Sequence, residues 1–132
     1  MAVKRELIEP RNAKLNVSRN LGLPHSPGIR AGDFIFLSGM VAIDPETGER
    51  VAGTVASETR QILTNMAHML ESAGSSLQNI VKINVFIYSM LEFDNMNTVF
   101  RQFFPESPPA RTTCGVQLSG GSKIEIECIA LA

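Results

Sequence analysis

The sequence predicts an α+β fold, a mixed β-sheet with two helices packed on one face. Three observations predict it. Residues 62–73 and 93–104 carry apolar side chains three and four positions apart, the period of a helix that presents one face to a core. Residues 81–88 and 124–131 alternate with period two, the period of a strand with one buried face. Strands and helices also interleave along the chain, which places the helices as connections against the sheet. The length of 132 residues suits one domain, 1–132, with an irregular segment over 1–23.

Within residues 1–23, Leu7-Ile8 marks a short edge strand ended by Pro10. Pro24, Pro27 and Gly28 make a loop, since two prolines and a glycine exclude both helix and central strand. Residues 29–33 turn into Phe34–Gly39, an apolar β-prone run read as a strand buried on both faces or nearly so. Val41–Ile43 continue it past Gly39, which marks a bulge or a close backbone approach. Asp44–Gly48 form a turn, and Glu49–Val51 return as a hairpin strand.

The first helix runs from Val55 or Ser57 to Ala73. Ile62, Leu63, Met66, Met69, Leu70 and Ala73 form its stripe, Thr54 or Ser57 caps its start, and Gly74 ends it. His68 falls between stripe and solvent, as a structural or surface histidine. In the next strand, Val81, Ile83, Val85 and Ile87 share the apolar face. Ser89 caps a second helix, Leu91–Phe104, stopped by Pro105. Its stripe of Phe93, Met96, Phe100, Phe103 and Phe104 encloses Asn97. A buried amide needs partners, either backbone groups or a ligand in a pocket.

Arg111 opens a strand and Glu125 lies in another, with the Gly-containing stretch Ser119–Ser122 between them. The two strands read as a hairpin that keeps both charges in one small region. An Arg fork binds a carboxylate by two parallel hydrogen bonds, and a nearby Glu orients or deprotonates water. In the last strand Ile124, Ile126, Cys128 and Ala130 face one way. Glu125, Glu127, Ile129 and Leu131 face the other. Two helices cannot cover both faces, so the second face calls for a partner, most simply another copy of the chain.

Other chemistry finds less support. The formal net charge is -1 and aromatic content is 6%, without a basic stripe, so no nucleic-acid partner is expected. No apolar run is long enough to span a bilayer, and Met1–Glu6 lack an apolar signal core, which favours the cytoplasm. Two Cys and two His at scattered positions make a poor metal set. Cys114 and Cys128 read as small buried apolar residues, with a disulfide across the hairpin disfavoured. The Ser119–Ser122 stretch joins strands and is no phosphate loop.

Pro109-Ala110-Arg111-Thr112 followed by Ile124-Glu125-Ile126-Glu127 resembles the C-terminal signature of the RidA/YjgF family, also labelled endoribonuclease L-PSP or reactive intermediate deaminase. Arg30–Gly39, Asp44–Glu49, Thr59–Gln61, Ala73–Leu77 and Val81–Phe86 agree in order, and the resemblance covers about residues 24–131. It implies a chorismate-mutase-like α+β fold and a homotrimer with clefts between subunits. It implies hydrolysis of 2-imino or 2-enamino acids to 2-oxo acids and ammonia, with no cofactor and no metal. Arg111 matches the family arginine that grips the substrate carboxylate, and Glu125 the glutamate that positions water. Asn97, Ser38 and Gly39 match cleft residues. Three departures alter the walls: His25 replaces a usual Tyr, Met40 a usual Gln, and Thr113 a frequent Cys, with Cys114 one place later. The alternatives are a non-catalytic small-carboxylate-binding or regulatory trimer, and an endoribonuclease or translation inhibitor. The charge balance counts against the last.

Overall fold

The structure is a computed structural model that describes residues 4–132. Met1, Ala2 and Val3, part of the stretch read as lacking a signal core, lie outside the described residues. The strands are β1 (Arg5–Ile8), β2 (Gly28–Ala31), β3 (Phe34–Met40), β4 (Ile80–Ile87), β5 (Ala110–Gly115) and β6 (Ile124–Leu131). The helices are α1 (Val17–Asn20), α2 (Val55–Ser72) and α3 (Phe93–Phe103). The strands form one sheet in the order β1-β2-β3-β6-β4-β5, antiparallel throughout except for the parallel pair β4–β5. The helices α2 and α3 pack together, and α2 lies against β6.

The α2 helix forms where its signals lie. The Thr54 side chain accepts from the Ser57 N–H at 3.1 Å and the Ser57 hydroxyl accepts from the Thr54 N–H at 2.9 Å, a reciprocal capping box. Gly74 follows the helix at φ 81°, a conformation that a Cβ disfavours. Ile62, Leu63, Met66, Met69 and Leu70 are buried along its stripe, each contributing about 1.5–3 kcal/mol through full burial. They meet Ile35, Leu37, Ile83, Val85, Ile87, Ile124, Ile126 and Ala130 from the sheet. The buried Glu58 carboxylate accepts from the Gly53 and Lys123 backbone N–H groups at 3.1 and 3.0 Å, so the approach to α2 is tied to the approach to β6. Its charge is paired with Lys123 Nζ at 3.6 Å.

The α+β class, the two long helices on one face and the alternation in β6 are as the sequence predicts. Several local readings are corrected. The chain over β5 and β6 is not a hairpin: β4 lies between the two strands, pairing in parallel with β5 and antiparallel with β6. The Gly120–Gly121 stretch is a crossover, short enough to imitate a hairpin turn. Residues 28–31, read as loop and turn, pair with β1 and β3 as a strand. The Phe34–Gly39 run is not buried on both faces, since Phe34 and Phe36 are 41% and 42% exposed while Ile35 and Leu37 are buried. Only one bridge, Ile43 to Arg50, stands where a returning strand at 49–51 was predicted. Val81 leaves the buried face because the β4–β6 register shifts between Ile80 and Lys82. Residues 4–23, read as irregular beyond a short strand at Leu7-Ile8, carry β1, a 3-10 turn at Ala13–Leu15 and α1. His68 is structural, its Nε2 accepting from the Asn12 N–H at 3.0 Å.

The face away from the helices carries Leu7, Phe34, Phe36 and Leu131, all exposed, around a polar centre. There the Asn84 amide donates to Glu127 at 3.2 Å and Lys82 donates to the Thr112 hydroxyl at 3.0 Å. No helix among the described residues is long and apolar enough to cross a membrane.

Candidate functional site

Arg111 is placed by β5, where it lies opposite Ile83 of β4. Ile83 is buried under the helices, so Arg111 points to the helix side. Its guanidinium carbon lies 5.0 Å from the ring centroid of Phe100 and 5.6 Å from that of Phe93, both on α3. A guanidinium over two aromatic faces is attracted by their quadrupoles and loses rotational freedom, which orients its fork in advance. Burial, and then the charge of Arg101, lower its pKa from the ordinary arginine value. Both reflect a cation short of counter-charge, a demand that an incoming anion meets.

Asn97 and Arg111 line one cavity with Phe100, Arg101, Phe104 and Pro109, of about 250 Å³. Of the two partners open to Asn97, backbone or pocket, the structure places its amide at the pocket wall. Thr113 shares the face of Arg111 on β5, and its hydroxyl oxygen is buried without a partner. Cys114 does not share it. It pairs with Phe86 on the open face and is exposed, while Cys128 pairs with Ile83 and is buried. Both thiols are free, and their opposite faces rule out a bridge between them. Burial, and then Glu127, push the Cys128 thiol up to about 12, so it stays protonated and inert. The reading of both cysteines as buried thus holds for Cys128 alone.

Glu125 lies opposite Phe86 on β4, three residues from the partner of Arg111. An odd spacing along a strand reverses the face. Glu125 and Arg111 of one chain therefore sit on opposite faces, and the single small region predicted for them does not exist within one chain. Glu125 lines a second cavity, of about 220 Å³, with Ser38, Gly39 and His25. This cavity lies where the β3–β6 ladder breaks between Leu37 and Met40. Ser38 is fixed at the break by its hydroxyl, which donates to the Ser26 carbonyl at 2.6 Å, and by its N–H, which donates to the Pro27 carbonyl at 3.0 Å. A Cβ on Gly39 would lie 2.9 Å from the Glu125 carboxyl carbon, so the carboxylate packs against bare backbone. Burial, then the Glu127 charge, raise the Glu125 pKa above the ordinary carboxylate value, and His25 opposes them. A carboxylate with a raised pKa is a stronger base when ionised, suited to taking a proton from water.

The predicted site residues thus separate into two half-sites, Arg111 with Asn97 and Glu125 with His25, Ser38 and Gly39. Sequence reasoning did not assign Phe93 and Phe100 as the shelf for Arg111, because their helical spacing read as core. It also missed the aliphatic wall of the Glu125 cavity, which α1 and its flanks supply from the segment read as irregular.

The sequence model of one protein family, described as endoribonuclease L-PSP, matches residues 20–132. A RutC family protein of Pyrococcus horikoshii is 43% identical over 116 residues, covering 87% of this chain and 91% of that protein. The human 2-iminobutanoate/2-iminopropanoate deaminase is 37% identical over 109 residues, covering 82% of this chain and 80% of that protein. Among solved structures, Escherichia coli TdcF with bound serine superposes with a TM-score of 0.84 at 31% identity, covering 96% of this chain and 98% of that one.

Proposed function

The chain belongs to the RidA/YjgF family, described by its sequence model as endoribonuclease L-PSP, and on that footing we propose that it hydrolyses reactive 2-imino and 2-enamino acids to 2-oxo acids and ammonia. The observation that carries the reading is Arg111, an oriented guanidinium over two aromatic rings in a cavity shared with the Asn97 amide. Such a group takes a planar carboxylate by its fork. The named activity of the human relative and the serine bound to TdcF support a small amino-acid-like substrate.

The site is assembled from two copies. Arg111 and Glu125 face opposite ways in one chain, and the open face exposes Phe34, Phe36 and Leu131 at 41–43%. A homotrimer with the open faces inward covers those side chains and lets the Arg111 half-site of one subunit meet the Glu125 half-site of the next. The single domain read over 1–132 is, in this proposal, one subunit of the assembly.

In this arrangement Arg111 and Asn97 hold the substrate carboxylate, and the imine carbon faces a water held by Glu125. Glu125 takes a proton from the water as its oxygen bonds to the imine carbon and the C=N electrons move to nitrogen. Glu125 passes that proton to the nitrogen, giving a neutral carbinolamine. Glu125 then takes the carbinolamine hydroxyl proton and returns it to the nitrogen as the C–N bond breaks and the C=O bond forms, leaving a 2-oxo acid and ammonia. Positioning supplies most of the gain, since imines of this kind react with water unaided. No cofactor is used, and the Ser38 hydroxyl, already donating to Ser26, orients the break in β3 and is not consumed as a nucleophile.

The test is to generate 2-iminopropanoate or 2-iminobutanoate in situ with a dehydratase and follow its decay. Faster decay with this protein, lost in Arg111→Ala, is the expected result. No acceleration, with carboxylate binding retained, would identify a binding trimer instead. RNA cleavage that survives Arg111→Ala would belong to a different site.

A further inference from the structure

We infer that the cavity beside Glu125 receives the substrate side chain and selects 2-imino acids whose side chain is branched or extended and aliphatic. This inference rests on the deaminase reading above and adds the substrate class. The cavity of about 220 Å³ joins the Glu125 half-site to a wall of Val17, Leu21, Leu23, Met40, Val41 and Met69. A methyl group fills about the space of one water, roughly 30 Å³, so an alanine-derived imine leaves most of this volume empty or occupied by water with few polar partners.

Two of the polar side chains that line the cavity, Asn65 and Arg50, are already engaged. The Asn65 amide donates to the Ile43 carbonyl at 2.7 Å and accepts from the Gln61 amide at 3.0 Å. The Arg50 guanidinium donates to the Ser119 and Gly120 carbonyls. Set against Val17, Leu21, Leu23, Met40, Val41 and Met69, a polar substrate side chain would give up water and gain no hydrogen bond, while an aliphatic one loses only unfavourable hydration. The wall therefore discriminates twice, in favour of apolar bulk and against polarity. Most of it comes from residues 17–23 and from the break at Met40–Val41, not from the elements that hold Arg111.

Each methylene buried in an apolar site is worth roughly fourfold in affinity. A leucine-derived imine carries three more side-chain carbons than an alanine-derived one. Both can be made in situ from the amino acid by an amino-acid oxidase with catalase, and their decay compared. The expected result is a kcat/KM at least about tenfold higher for the leucine-derived imine. Met40→Gln, and separately Leu23→Gln at a position 44% exposed, should shrink that ratio to about threefold or less. Equal rates, a preference for the alanine-derived imine, or variants that leave the ratio unchanged would overturn the assignment. Calorimetric binding of 4-methyl-2-oxopentanoate against pyruvate separates this inference from the deaminase reading. If neither imine decays faster, the deaminase reading fails; tighter binding of the longer acid then still supports the pocket, and equal binding overturns it.

Discussion

Arg111 and Glu125 lie on opposite faces of one sheet, because their partners Ile83 and Phe86 on β4 are three residues apart. A site that needs both is then built from two chains. Mixing Arg111→Ala and Glu125→Gln proteins after reversible dissociation should restore activity that neither has alone. In a cyclic trimer of either mixed composition, one site of three combines an intact Arg111 with an intact Glu125. Random assembly from equal amounts therefore restores about a quarter of the wild-type rate. Zero restoration, with mixed trimers present by mass, would place the site within one chain.

Arg111 is held by Phe93 and Phe100 as well as by its strand. Lysine keeps the charge but loses the fork and the stacking. A hydrogen bond to a charged group contributes about 1.5–3 kcal/mol, so Arg111→Lys should lower kcat/KM by about ten- to a hundredfold, mainly through KM. Steady-state kinetics on a 2-imino acid measure the split.

In the proposed reaction Glu125 acts as a base only when ionised, and burial followed by the Glu127 charge raises its pKa. The ionised fraction is then lost at a higher pH than for an ordinary glutamate as the solution is acidified. The acid limb of the kcat/KM profile should lie above the usual carboxylate range. Glu127→Gln removes one of the causes and should move that limb to lower pH, whereas His25→Ala removes the opposing cause and should move it higher. The residual rate of Glu125→Gln should show no such limb.

Gly39→Ala introduces a Cβ at 2.9 Å from the Glu125 carboxyl carbon and 3.0 Å from Oε2. What must yield is the end of a flexible side chain, so the fold survives, with unfolding free energy changed by about 0.5 kcal/mol or less. The carboxylate is displaced, and misplacement of a catalytic group by about 1 Å costs on the order of a hundredfold in rate. Denaturant unfolding and kinetics on the same preparation separate the two effects.

Phe36 is 42% exposed on the open face. Phe36→Glu should leave the single chain folded, disperse the proposed trimer in sedimentation analysis and abolish the proposed deaminase activity. A Phe36→Glu protein that stays trimeric would show that the open face is not the interface.

The sequence made both helices legible because their stripes and caps are local signals. The two faces of β6 were legible for the same reason: burial alternates with every residue from Ile124 to Ala130. The place of β5 was not. A short Gly-containing link between two β-prone runs looks alike whether the runs pair or straddle a third strand, and only the non-local pairing with β4 decides. That single ambiguity put Arg111 and Glu125 in one region and Cys114 in the core. The strand β2 escaped because it is only four residues long, opens on Gly28, includes Arg30 and is followed at once by Gly32. The Arg111 shelf was hidden in plain periodicity, since Phe93 and Phe100 serve the helix packing and the cation together.

The strand at the middle of the sheet, β6, follows in the chain both of the strands it joins. On the ribosome β1–β3 and β4–β5 are made as two half-sheets, and β3 and β4 each wait with an open edge for β6. Synthesis thus holds apart the two halves of the sheet until β6 emerges to close it. Open edges are templates for foreign strands. The interval of greatest exposure is therefore the one before β6 pairs, when the edges of β3 and β4 lie open.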